Sequence, residues 1–304
     1  MTQALAIGDR RSGGAELCPP TFARVARLAS SEAGLMIAPT KIAMVQSRLQ
    51  RRMRALRIVS FERYLDLVEG DGGRAELRQM ISVLTTNVSH FFREAHHFET
   101  LRKEVLPGLL DKARAGERVR IWSAGCSSGQ EPFTIAMEIL RLDPGAGERD
   151  VRILGTDIDP AILEVARAGR YAEGLMGGVG ADDRRRFFEH EGDAWSAGPA
   201  LRKLVSFREL NLLAPWPMTG RFDAIFCRNV VIYFDEATQR RLWPRFAAAL
   251  RPGGWMFVGH SERIPEDGGP DFKGTGFVNT GVTIYRTGID PAAAGRPARA
   301  KRKG

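Results

Sequence analysis

The sequence predicts an α/β fold: a doubly wound, mostly parallel sheet, preceded by a small all-α domain and interrupted by a small inserted β-subdomain. Three observations predict it. Apolar residues recur at helical spacing, without strand signal, from Thr21 to about Asn87. From Arg118 onward short apolar runs alternate with helical patterns, the order that builds a parallel sheet. Between Gly169 and Leu210 that rhythm breaks into glycines (Gly174, Gly177, Gly178, Gly180), a helical patch at Asp182–Phe188 and short strand-like pieces.

Residues 1–20 are punctuated by Gly and Pro, lack periodicity and read as a flexible arm. Phe22, Val25 and Leu28 then make a short apolar stripe. Ile42, Val45, Leu49, Met53 and Leu56 make a longer one, falling within about 80° of arc at about 100° per residue. Phe61, Tyr64, Leu65 and Val68 follow, ended by Gly70, and then Leu77, Met80, Ile81 and Leu84. These four patterns define an all-α domain over 21–88. A helical stretch from Phe91 to about Ala115 bridges, over 89–117, to the α/β domain of 118–287. Its expected strands are Val119–Ala124, Val151–Thr156, Phe222–Cys227 and Trp255–Gly259, with Val282–Tyr285 as a closing edge strand. Its expected helices are Glu131–Leu142, Pro160–Ala168 and Glu236–Leu250. The stretch 169–210 reads as the insertion and 288–304 as a basic, disordered tail.

Hydrophobic residues are 43% of the 304, enough to fill a core. No apolar run approaches the roughly 18 residues of a membrane span, and the N-terminal stretch lacks the apolar core of a secretory signal, so a cytoplasmic protein is expected. Three cysteines, Cys18, Cys126 and Cys227, are an odd number without metal-ligand spacing. Cys126 and Cys227 each sit at a strand end and read as buried thiols. The net charge of +9 invites a nucleic-acid partner. Its placement argues otherwise, because the basic residues gather in Arg48–Arg57, Arg184–Arg186 and the tail. Basic charge equally meets an acidic protein surface. On the wheel of the second helix, Arg51 and Arg54 point away from the apolar stripe, with Arg48 flanking. They form either a solvated face or a guanidinium row suited to carboxylates.

The first strand runs into Ser123-Ala-Gly-Cys-Ser-Ser-Gly129 and then a helix. Gly125 and Gly129 let a ligand approach the backbone, although Gly-x-x-x-Gly is not the dinucleotide fingerprint. Asp157, in Gly155-Thr-Asp-Ile-Asp159, ends the second strand, where a carboxylate accepts from the two hydroxyls of a ribose. Asp159, followed by Pro160, is expected to cap the next helix. The pattern suits either NAD or S-adenosylmethionine, and the loose glycine spacing favours the latter, which needs no pyrophosphate cradle. Glu131, in the first turn of its helix, either meets the cofactor's ammonium group or complements the helix dipole. His90, His96 and His97 cluster in sequence without a Cys or carboxylate at metal-site spacing, so no metal is expected.

At this point the chain resembles the bacterial chemotaxis receptor methyltransferases (CheR). The resemblance rests on Thr85-Thr-Asn-Val-Ser-His-Phe-Phe-Arg-Glu94, Trp122-Ser-Ala-Gly-Cys-Ser-Ser-Gly-Gln-Glu-Pro132, Gly155-Thr-Asp-Ile-Asp159 and Asn211-Leu-Leu. It continues with Phe222-Asp-Ala-Ile-Phe-Cys-Arg-Asn-Val-Val-Ile-Tyr-Phe-Asp235, Leu250-Arg-Pro-Gly-Gly254 and Gly259-His-Ser-Glu262. These motifs occur in the family's order over about 20–287. The resemblance implies a sheet of the S-adenosylmethionine-dependent methyltransferase type and methyl ester formation on receptor glutamates, with release of S-adenosylhomocysteine. It implies cofactor contacts at Asn87, Ser89, Arg93, Glu131, Asp157, Asn211, Leu212, Arg228 and Asn229, alongside the turn glycines Gly125 and Gly129. It places Arg93 and Tyr233 nearest the transferred methyl. It further implies that the helix bearing Arg48, Arg51 and Arg54 docks on receptor cytoplasmic helices, and that the insert meets a receptor C-terminal peptide in some members. A monomer is expected. Ser89 stands where the family commonly has Thr, and Cys126 where small residues are usual.

Two other functions fit the sequence less well. A base-nitrogen methyltransferase commonly carries Asp/Asn-Pro-Pro-Tyr/Phe where this chain has Cys227-Arg-Asn-Val-Val-Ile-Tyr, without the prolines. A cofactor-bound docking module has no use for Arg93 and Tyr233 together.

Overall fold

The computed structural model describes residues 16–265 and 276–288, and the chain divides into two units, Met1–Thr86 and Asn87–Gly304. The first unit is helical: α1 (Pro19–Ala33), α2 (Ile42–Ala55, entered through a 3-10 turn at Pro39–Lys41), α3 (Phe61–Glu69) and α4 (Arg74–Leu84). Local chemistry sets the ends. Pro19 opens α1, and Gly34, in the left-handed region at φ 66, closes it, its amide donating to Ser30 O and the Leu35 amide to Ala29 O. Ser60 caps α3 by accepting from the Arg63 amide. The apolar stripes bury Phe22, Val25, Val45, Leu49, Met53, Tyr64, Leu65, Met80 and Ile81 against one another. Glu76 joins three helices, accepting from Tyr64 Oη at 2.9 Å and from both ends of the Arg52 fork at 2.9 and 2.6 Å. The expected arm is only partly described. Leu17 is buried and its amide donates to Gln46 Oε1 at 3.0 Å, so the packed chain starts before residue 20, and residues 1–15 lie outside the described residues.

The second unit opens with α5 (Ala95–Thr100), which passes through a π turn at Leu101–Val105 into α6 (Leu106–Arg114). There follow β1 (Val119–Ala124), α7 (Gln130–Leu142), β2 (Val151–Asp157) and α8 (Pro160–Ala168). Next come β3 (Arg170–Ala172), α9 (Ala181–Phe187), β4 (Phe188–Glu191), β5 (Ala194–Ala197), α10 (Pro199–Leu204) and β6 (Val205–Glu209). The unit ends with β7 (Phe222–Cys227), α11 (Glu236–Ala249), β8 (Leu250–Val258), β9 (Phe277–Gly281) and β10 (Ile284–Thr287).

Seven strands form one sheet in the order β6-β2-β1-β7-β8-β10-β9. The first five run parallel, and β10 is antiparallel to both its neighbours. Side chains alternate across it. On one face Ile121, Ile153, Phe226 and Phe257 pack with Phe133, Leu163 and Leu110 of α7, α8 and α6. On the other Trp122, Ile225, Met256 and Val258 pack with Leu242, Trp243 and Phe246 of α11. Every residue of β7 is buried, as a central strand covered on both faces must be. The fold is therefore the doubly wound, mostly parallel sheet that the sequence predicts, with a separate antiparallel sheet β3-β5-β4.

Several boundaries are corrected. Phe91–Glu94 is not helical, and Phe92 and Glu94 take φ of 56 and 55. The small sheet spans only 170–197, because β6, inside the stretch read as insertion, pairs in parallel with β2. The strand expected at Val282–Tyr285 begins at Ile284, after a turn at Val282–Thr283, and lies between β8 and β9 instead of at the edge. Asn87 and Val88 fall with the second unit. The basic tail at 289–304 lies outside the described residues.

Candidate active site

In the second unit, the carboxyl ends of β1, β2 and β7 bring most of the expected site residues together. Beyond β1 the chain turns through Gly125 (φ 85), Ser127 (φ 49) and Gly129 (φ 90), and the amides of Gly125 and Cys126 both donate to Thr156 O at 2.8 Å. A methyl at Gly125 would collide with Val230 Cγ2, so the glycine is required twice, by its φ and by that contact.

Asp157 ends β2 facing this turn. Its Oδ2 accepts from Ser127 N at 2.8 Å and its Oδ1 from Asp159 N at 3.1 Å. Each oxygen keeps a lone pair for a further donor, which is what a ribose diol supplies. Burial pushes its pKa up to about 6, against the pull of those backbone amides. Asp159 takes the capping role, accepting from Ala161 N at 2.9 Å and Ile162 N at 3.3 Å, and also from Asn87 Nδ2 at 2.7 Å. The Asn87 carbonyl accepts from Ser127 Oγ at 3.3 Å, so Asn87 borders the same turn. Leu210 N donates to Asp157 O at 2.9 Å, which brings Asn211 and Leu212 to the same sheet edge. Asn211 Oδ1 accepts from Leu213 N at 2.9 Å, and Leu212 is buried with its carbonyl held by Arg245 at 2.6 Å.

A charged group lies beyond β1 and β7. Arg228 Nη1 is 2.8 Å from Glu131 Oε2, and Glu131 Oε1 accepts from Ser123 Oγ at 2.7 Å. The other Arg228 arm donates to the Arg93 carbonyl and lies 3.5 Å from Glu94 Oε2. Burial would raise the Glu94 pKa, but the Arg228 charge, the hydrogen bonds from His260 and the nearby His97 together outweigh it, and the net shift is downward. Arg93 itself is half-buried, with Nη1 donating to Val88 O at 3.0 Å. Ser89 is half-buried in the same turn. Tyr233 ends a 3-10 turn at Val231–Tyr233 and is half-buried.

An amino-acid cofactor fits this group. The Glu131 carboxylate suits an ammonium, and Arg228, whose Nε is buried without a partner among the described residues, suits a carboxylate.

Three residues matter here that carried no role from sequence: Ser123, Glu94 and Glu262. Glu94 and Glu262 stand inside the quoted motifs, and only their contacts reveal them. Glu94 also supplies the carboxylate that spacing alone denied the histidines, since ligand atoms of Glu94, His96 and His97 lie within 4.8 Å of one another. Thr283 Oγ1 donates to Val282 O at 2.7 Å and lies 2.9 Å from His97 Nε2, while His97 Nδ1 lies 3.6 Å from Glu94 Oε2. Burial and the Arg228 charge lower the His97 pKa to about 3.

In the first unit the expected guanidinium row divides. Arg51 and Arg54 are exposed, whereas Arg48 donates to Leu84 O and Thr85 O, both at 2.8 Å, and closes the end of α4. Its side chain is spent inside the helical unit.

Comparison with known proteins gives two family models. The CheR methyltransferase all-alpha domain matches residues 20–85, and the CheR methyltransferase SAM binding domain matches 87–275. A probable chemotaxis protein methyltransferase of Rhizobium etli is 47% identical over 260 residues, covering 84% of this chain and 95% of the relative. Chemotaxis protein methyltransferase 2 of Pseudomonas aeruginosa is 43% identical over 241 residues, covering 76% and 82%. The chemotaxis protein methyltransferase of Escherichia coli is 39% identical over 273 residues, covering 87% and 88%.

Proposed function

This chain belongs to the CheR chemotaxis methyltransferase family, S-adenosylmethionine-dependent enzymes of the protein-glutamate O-methyltransferase type; from that premise we propose that its acceptors are glutamate side chains on the cytoplasmic helices of chemotaxis receptors. The observation that carries the reading is the Glu131–Arg228 pair beside Asp157: a zwitterion site and a diol site at one sheet edge.

When bound, S-adenosylmethionine supplies an activated methyl group. The residues of the chain bind, orient and exclude water. Asp157 takes the ribose hydroxyls. Glu131 and Arg228 take the amino-acid end. An acceptor carboxylate, with an ordinary pKa near about 4.3, is already ionised at neutral pH. No general base is needed. Arg93 steers the carboxylate, and Tyr233 donates to its non-attacking oxygen. The rate then comes mainly from orientation and from bringing opposite charges together out of water.

Arg51 and Arg54, exposed on α2, are the receptor-facing pair in this reading. Arg48 is not, because its Nη1 is engaged by the Leu84 and Thr85 carbonyls at the end of α4. Incubation of a receptor cytoplasmic fragment with methyl-labelled cofactor tests the proposal. Label released from the fragment as methanol by mild base supports an ester. Label that withstands base, or that enters only tRNA or DNA added in parallel, refutes it.

A further inference from the structure

Glu262 lies in the short segment that follows β8 and takes no part in the cofactor or acceptor contacts proposed above. It is 3% exposed, and its carboxylate has no basic partner among the described residues. Its carboxylate instead gathers backbone amides. Oε2 accepts from Gly259 N at 2.5 Å and Asn229 N at 2.9 Å, and Oε1 accepts from Val230 N at 2.8 Å and Ile232 N at 3.3 Å. Three of these four donors belong to the loop after β7, which carries Arg228 at one end and Tyr233 at the other.

That loop is not held by regular structure. Asn229 sits at φ 59, in the left-handed region that Asn tolerates better than most residues with a side chain, and the next regular piece is a single 3-10 turn. Its amides point inward with no strand or helix to receive them, and an orphaned buried amide is expensive. One carboxylate, with about four lone-pair positions, satisfies them together. The approach is close. A methyl at Gly259 would lie 2.7 Å from Asn229 N and 2.9 Å from Glu262 Oε2, so Gly259 leaves room for the brace. Burial raises the Glu262 pKa and the four amides oppose that rise.

We propose that Glu262 is a positioning residue: its carboxylate braces the 228–233 loop and thereby sets Arg228 against Glu131 and Tyr233 toward the acceptor. The proposal rests on the assignment of Arg228 and Tyr233 to the site above. Glutamine at 262 is the sharp variant, because it keeps the shape while turning one acceptor into a donor that faces two backbone amides.

The test titrates S-adenosylhomocysteine into wild type, Glu262→Gln and Glu262→Asp by calorimetry, with thermal unfolding of each and steady-state rates at saturating cofactor. The expected result is a cooperative Glu262→Gln protein whose product affinity and kcat both fall about tenfold or more, with part of each recovered in Glu262→Asp. A cooperative Glu262→Gln protein with wild-type affinity and wild-type kcat overturns the proposal, as does a change confined to KM for the acceptor. Should Glu262→Gln lack an unfolding transition, hydrogen exchange of the wild-type chain decides. Under the proposal the amides of Gly259, Asn229, Val230 and Ile232 slow together when S-adenosylhomocysteine binds; four unrelated responses overturn it. The binding arm needs no acceptor, so it reports on Glu262 even if the acceptor is not glutamate.

Discussion

Arg228 Nη1 lies 2.8 Å from Glu131 Oε2, and this nearly buried pair ties the loop after β7 to the first turn of α7. The same guanidinium holds the Arg93 carbonyl and lies beside Glu94. One side chain thus connects three segments of the second unit that sequence keeps far apart.

Arg228→Ala strands Glu131 and Glu94 without their countercharge. Removing one partner of a buried pair costs about 3–5 kcal/mol, and urea unfolding of the variant should show a loss of that order. Affinity for S-adenosylhomocysteine should fall about tenfold or more, and Arg228→Lys should recover little, because an ammonium cannot hold three partners through a planar fork.

Asp157 predicts two opposed pH dependences. Its folded pKa of about 6 lies above the ordinary 3.8, so the folded chain keeps a proton that the unfolded chain has released. Between those values the unfolded state binds fewer protons, and Asp157's contribution to stability declines as pH rises. Cofactor affinity should move the other way, weakening as pH falls through about 6, because the ribose hydroxyls need an ionised acceptor. Asp157→Asn should flatten both curves and weaken binding at neutral pH; unfolding and calorimetry across that range measure the two.

Arg93→Ala should lower kcat about tenfold or more, the loss of one charge-assisted contact worth about 1.5–3 kcal/mol. The cofactor-side pair of Arg228 and Glu131 uses the Arg93 carbonyl and not its side chain, so affinity for S-adenosylhomocysteine should change much less. Turnover at the wild-type level with saturating substrate would remove Arg93 from the mechanism.

On α2 the three arginines should separate. Arg51→Ala combined with Arg54→Ala should weaken methylation of receptor fragments while cofactor affinity and melting temperature stay unchanged. Arg48→Ala should instead destabilise the helical unit by about 1.5–3 kcal/mol, since it leaves the Leu84 and Thr85 carbonyls without their charged donor. Matching unfolding curves for Arg48→Ala and wild type would contradict this assignment.

Much of the architecture was legible because it follows from periodicity. Val119–Ala124, Pro160–Ala168 and Phe222–Cys227 begin and end where apolar pattern and punctuation place them. The cap at Asp159 was equally local. What the sequence concealed depends on partners distant along the chain. Phe91–Glu94 carries helical spacing, yet the Phe92 amide donates to Thr134 Oγ1 at 3.4 Å and its ring lies under Arg141, and these contacts accompany a left-handed turn. The strand at Val205–Glu209 is a short edge strand with three of its five residues exposed, so it offers little apolar signal. Arg48 reads as solvated on a helical wheel, which shows one helix and not the α4 carbonyls beside it. Glu262 and Glu94 gave no compositional signal, because a carboxylate's role here is set by the amides or charges that the fold brings to it.

The acceptor group is the claim on which the rest turns. Tandem mass spectrometry of a receptor cytoplasmic fragment, after incubation with enzyme and S-adenosylmethionine, locates the added methyl directly. The account predicts single methyl additions on glutamate side chains, their initial rate about tenfold or more lower when Arg93→Ala or Arg228→Ala enzyme is used at matched concentration. Methyl groups found on lysine, arginine or backbone nitrogen, or none on the fragment while the cofactor is bound, would contradict it.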